Sequence, residues 1–176
     1  SVSGSQRRNL ATYQFSGTPL ANITALKFRI YNPSAGNGGS PTTSSFLVFN
    51  ADFNGSDLWQ RRLIYVPADN GGVSQDNWKE FDTINGGAGM WQYSGATWPA
   101  PIGLPGTTAV SWATILSSYP GVRIRVTDSH FGIRVGNPDP AGYTENIDSV
   151  TFGTAAMTTV FDFEPAGLSM TPPTKF

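Results

Sequence analysis

From residue 26 to residue 31 the side chains alternate strictly. Leu26, Phe28 and Ile30 are apolar, and Lys27, Arg29 and Tyr31 are charged or amphipathic. A period of two puts the apolar set on one side of an extended strand, so this segment reads as a strand with one face in a core and the other in water. Residues 45–66 supply two further arms. Phe46, Val48 and Asn50 alternate with Leu47, Phe49 and Ala51, and residues 63–66 form a second aromatic and β-branched run. Between the arms lies a turn dense in oxygen donors, Asp52-Phe53-Asn54-Gly55-Ser56-Asp57.

The rest of the chain keeps this rhythm. Residues 11–15, 78–82, 122–127, 130–135, 147–152 and 157–163 are strand candidates, separated by Gly, Pro, Asn and Asp. In residues 78–82, Trp78 and Glu80 face opposite to Lys79 and Phe81, as on an edge or a strand with one wet face. Residues 111–119 form the one helix candidate: Ser111 can cap it, Trp112, Ile115, Leu116 and Tyr119 share a face, and Pro120-Gly121 stops it. Residues 84–106 read as a glycine- and proline-rich excursion without regular structure. The expected fold is all-β, a jelly-roll β-sandwich of two antiparallel sheets with one short helix. It forms one domain over residues 1–176, with a flexible arm at 1–9 and an extended tail at 166–176.

Composition narrows the function classes. Net charge is −1 with three lysines, so a basic face able to neutralise a phosphate backbone is not expected, and neither is nucleic acid as a partner. No apolar run is long enough to span a bilayer as a helix. Without cysteine there is neither a disulfide scaffold nor a thiol nucleophile. Low charge and Ser/Thr/Gly/Asn-rich loops favour an extracellular or cell-surface location. The polar opening SVSGSQRRN, without an initiator Met, reads as a mature or trimmed end.

Four segments taken together carry a resemblance: LKFRIY at 26–31, WKEF at 78–81, NIDSVTFG at 146–153 and TTVFDFEP at 158–165. In this order they resemble the jelly-roll carbohydrate-binding modules and galactose-binding-like domains of secreted bacterial proteins. The resemblance implies a sandwich with surface aromatics that stack on sugar. It also implies a structural calcium to which the aspartate of the closing strand contributes, here Asp148. The chain starts close to its first strand, so the opening strand usual in such domains is expected to be missing.

Asp52, Asn54, Ser56 and Asp57 surround Gly55 like the start of a calcium loop, but Leu63 stands where an EF-hand needs its glutamate. Asp148 or Glu145 could serve a separate hard-oxygen site, and Asx turns explain all of these residues without an ion. The single histidine, His130, leaves no zinc site and no G-x-S-x-G elbow accompanies it. Glu80 and Asp82 have the i, i+2 spacing of a glycosidase pair, which any solvated strand also shows.

Five tryptophans are many for this length. Trp91, Tyr93 and Trp98 lie in the excursion, where they could stack on a glycan or roof the sandwich. The expectation is a non-catalytic module that binds a polysaccharide or cell-surface glycan through Trp91, Tyr93 and Trp98. Asp52, Asn54, Asp57 and Asp148 are expected to stabilise loops, with structural calcium as the candidate ion. The alternative is a structural subunit of an extracellular filament or surface layer that forms homo-oligomers by exchanging strands or termini.

Overall fold

The computed structural model describes residues 8–34, 44–135 and 145–163. Two antiparallel sheets pack face to face. The seven-stranded sheet runs in the order β1 (Arg8–Thr12), β9 (Phe131–Val135), β3 (Phe46–Asp52), β4 (Arg62–Tyr65), β6 (Met90–Tyr93) and β7 (Val110–Ser111), and β8 (Arg123–Ile124) pairs with the end of β3. The four-stranded sheet runs β11 (Thr158–Phe161), β10 (Asn146–Thr154), β2 (Ile23–Tyr31) and β5 (Trp78–Asp82). The chain passes repeatedly between the layers, with β1, β3, β4 and β6–β9 in one and β2, β5, β10 and β11 in the other. The β-sandwich expected from alternation is therefore the fold.

The β2 pattern holds residue for residue. Leu26, Phe28 and Ile30 are buried and belong to the core, while Lys27, Arg29 and Tyr31 stay partly exposed. In β3 the alternation is hidden by burial on both sides. Leu47, Phe49 and Ala51 enter the core between the sheets, and Val48 and Asn50 point the other way yet are equally buried. Aromatic rings fill the interior: Phe15 lies flat on Phe152 with centroids 3.7 Å apart, and Phe131 meets Phe15, Phe49 and Phe152. Each such side chain removed from water contributes about 1.5–3 kcal/mol, which is how a chain without cross-links holds two layers together.

Helix α1 (Trp112–Ser118) begins where the sequence places it. The Ser111 hydroxyl accepts from the Thr114 N–H at 3.1 Å, and Trp112 and Ile115 are buried.

Three expectations change. Arg8 and Asn9 are not part of a free arm but open β1, which pairs with β9 and forms an outer strand of the large sheet. The strand expected at 11–15 is thus displaced towards the N-terminus, and it remains the outermost strand of its sheet. The excursion at 84–106 contains β6, hydrogen-bonded to β4 and β7, because Trp91 faces inwards between outward Met90 and Gln92. The flanking glycines mask so short an alternation in the sequence. The tail at 166–176 lies outside the described residues.

Candidate functional site

Of the three aromatic residues expected to face a glycan, Trp91 and Trp98 are buried and Tyr93 is half-buried. Trp91 is 0% exposed and Trp98 1%. Their indole N–H groups donate to the Thr83 and Thr108 carbonyls at 3.0 and 2.9 Å. The Tyr93 ring stacks on Trp98 at 5.4 Å, and its hydroxyl donates to the Gln60 carbonyl. A ring with both faces packed and its N–H satisfied offers nothing to a sugar. Trp91 and Trp98 belong to the core, and half-buried Tyr93 packs against it.

The oxygen-rich loop is likewise closed on itself. The buried Asp52 carboxylate accepts from the Gly55 N–H at 2.9 Å, from Gln60 Nε2 at 2.7 Å and from Arg123 Nε at 2.9 Å. Burial alone pushes its carboxyl up, but Arg123, Gln60 and the backbone donors outweigh that and hold it below the ordinary aspartate range. Asn54 Oδ1 accepts from the Ser56 N–H and Gln60 Nε2. Asp57 accepts from the Val126 and Thr127 N–H groups at 2.7 and 2.9 Å. In the present arrangement Arg123, Gln60 and backbone amides satisfy the carboxylate oxygens of Asp52 and Asp57.

Asp148 stands apart on the other sheet. Its carboxylate accepts from the Ser149 N–H and hydroxyl at a bulge in β10. The proposed ligands therefore form no single cage, and no group of three or more His, Asp or Glu side chains converges among the described residues.

The chemistry-bearing residues on other elements are similarly engaged. Glu80 and Asp82 both face Lys27 across the register, at 3.7 and 3.4 Å. His130 is buried with Tyr13 edge-on at 6.1 Å, and the Ser129 hydroxyl beside it donates to the Tyr13 carbonyl. That arrangement gives the serine no base.

The outer face of the four-stranded sheet carries one exposed tryptophan, Trp78, beside the half-buried Tyr31. Pairing of β2 with β5 sets Tyr31 opposite Trp78, Arg29 opposite Glu80 and Lys27 opposite Asp82. On the other side, β10 sets Asn146 beside Tyr31 and Asp148 beside Arg29. Trp78 is 42% exposed, with Tyr31 at 5.8 Å between centroids and the Arg29 guanidinium 5.6 Å from its ring. The result is a pair of neighbouring rings bordered by rows of donors and acceptors on a solvated sheet face. In the sequence, Tyr31 and Trp78 show only as members of wet faces, and their adjacency depends on strand register.

No family model matches the chain, and no curated protein and no solved structure is significantly similar to it.

Proposed function

We propose that this protein is a non-catalytic, exported glycan-binding module whose sugar-facing surface is the outer face of the four-stranded sheet. The observation that carries the reading is the side-by-side placement of Tyr31 and Trp78 on neighbouring strands, with Arg29, Glu80, Asn146 and Asp148 around them. The exposed Trp78 ring, extended by half-buried Tyr31, stacks on the apolar face of a pyranose, and the flanking charged and amide groups bond its hydroxyls. Engagement of the acids by Lys27, Arg123 and backbone N–H groups fits binding better than hydrolysis.

The test is titration of neutral and mixed polysaccharides followed by tryptophan fluorescence and affinity electrophoresis. Trp78→Ala should weaken binding at least tenfold, equivalent to about 1.4 kcal/mol. Absence of any response across a broad panel, or an undiminished response in the variant, overturns the proposal.

A second reading, a self-assembling structural subunit, has its own support. The outer strands β1 and β11 border an apolar slot lined by Leu10, Phe131, Ile133, Val150, Phe161 and Phe163, with Leu10, Val160 and Phe163 exposed around it. Outer strands offer backbone donors and acceptors to a second copy of the chain. Large particles on a sizing column that disperse in Val160→Lys support it, and a strict monomer at high concentration removes it.

A further inference from the structure

The opposite side of the molecule carries a groove of different chemistry. On the outer face of the seven-stranded sheet a depression of about 300 Å³ is lined by Phe46, Trp59, Arg61, Arg62, Ile64 and Arg134. Among the described residues, the charged groups lining it are arginines. Strand pairing brings them together: Arg134 on β9 lies opposite Phe46 on β3, and Arg62 on β4 lies opposite Asn50. Two of the guanidiniums are oriented by amide oxygens, Arg62 Nε by Asn50 Oδ1 at 2.9 Å and Arg134 Nε by Asn9 Oδ1 at 2.7 Å. Asn50 also donates to Asp128, the carboxylate that borders this network.

Trp59 stands at the groove, 44% exposed, with Arg62 at 4.8 Å and Arg125 at 5.7 Å from its ring. Arg61 is exposed and holds a φ of +78°, a conformation in which glycine is the unstrained choice. The same positive field is felt by buried His130. Its pKa is lowered first by loss of solvent, then by Arg134 and Arg62.

We propose that this groove binds an acidic sugar unit, a pyranose bearing a carboxylate or sulfate, with exposed Arg61 and half-buried Arg134 reaching the anionic group and the exposed edge of Trp59, already stacked with Arg62, bordering the ring. Guanidinium forks match such planar or tetrahedral oxyanions, and a ring face complements the indole. The volume sits at the lower limit of small-ligand sites and suits a single charged residue of a polysaccharide. An acidic peptide fits less well. The groove lies on a sheet face, where no strand edge offers the backbone pairing by which extended peptides are usually held. This site is independent of the Tyr31–Trp78 face.

The test is calorimetric or electrophoretic titration of the whole chain with polygalacturonate, dextran sulfate, neutral dextran and poly-glutamate at low ionic strength, repeated at raised salt. Acidic polysaccharide should bind, with affinity falling as salt rises. Response to polygalacturonate or to dextran sulfate tells which oxyanion is preferred. Arg134→Gln and Arg61→Gly should each weaken binding about tenfold, while Trp78→Ala leaves it intact. Arg61→Gly should also melt no lower than the parent, which separates loss of a ligand contact from loss of structure. No binding of either acidic polysaccharide overturns the proposal. So does equal affinity for neutral dextran, tighter binding of poly-glutamate, or binding unchanged in both arginine variants.

Discussion

Arg123 on β8 reaches Asp52 at the end of β3 from 71 positions away, and its Nε and Nη2 both lie 2.9 Å from the same carboxylate oxygen, Oδ2. The pair ties β8 to the loop between β3 and β4, because Arg123 Nη2 also donates to the Gly55 carbonyl. Asp52 is fully buried, so removing its charge strands the guanidinium against a polar loop built around it. Asp52→Asn is expected to cost about 3 kcal/mol at neutral pH. The Asp52 carboxyl lies lower in the folded chain than in the unfolded one. Its contribution is present above the unfolded value of about 3.9 and fades as pH falls through the folded value. Chemical denaturation across pH 2–7 should therefore show parent and variant converging at the acid end.

His130 gives a pH effect at a higher window. Burial, Arg134 and Arg62 lower its pKa, with Asp128 opposing, and Nε2 meets no hydrogen-bond partner among the described residues. The folded protein therefore binds this proton less readily than the unfolded chain. Stability is complete above about pH 6.5 and falls as pH drops towards the folded pKa. His130→Gln should flatten the melting temperature between pH 7 and pH 5. An equally steep decline in the variant would show that another group is responsible.

The tryptophans divide into two classes that substitution should separate. Trp91→Ala opens a cavity beside Phe49, Tyr65 and Trp112 and is expected to cost about 4 kcal/mol. Trp78→Ala on the solvated face should cost under about 1 kcal/mol. Urea denaturation of the two variants checks the contrast.

Gly132 on β9 lies where β1 passes closest. A Cβ there would stand 2.2 Å from the Leu10 carbonyl oxygen, a backbone atom that cannot swing aside. Gly132→Ala is expected to destabilise by about 2 kcal/mol and to loosen β1, visible as faster amide exchange from Leu10 to Thr12. Gly121→Ala, where a Cβ meets nothing within 4 Å, is the control.

The parts of the fold legible in the sequence were those set by neighbours along the chain. Leu26, Phe28 and Ile30 announce a buried face through their spacing alone, and Ser111 announces a helix start because its hydroxyl needs only Thr114, three residues on. Trp91 and Trp98 misled because glycines on either side of an indole say nothing about whether a sheet lies above it. Asp52 and Asp57 misled for a related reason. An oxygen-rich turn looks the same whether a cation, an arginine from β8 or the Val126 and Thr127 amides will fill it.

Sequence alone thus determined which segments extend, which faces they bury and where the helix is capped, since each follows from periods of two to four residues. Strand register was decided by the tertiary structure, and with it the meeting of Tyr31 with Trp78, of Arg62 and Arg134 around one groove, and of Arg123 with Asp52. Those contacts join residues dozens of positions apart, and they are fixed only when two sheets bury their apolar faces against each other.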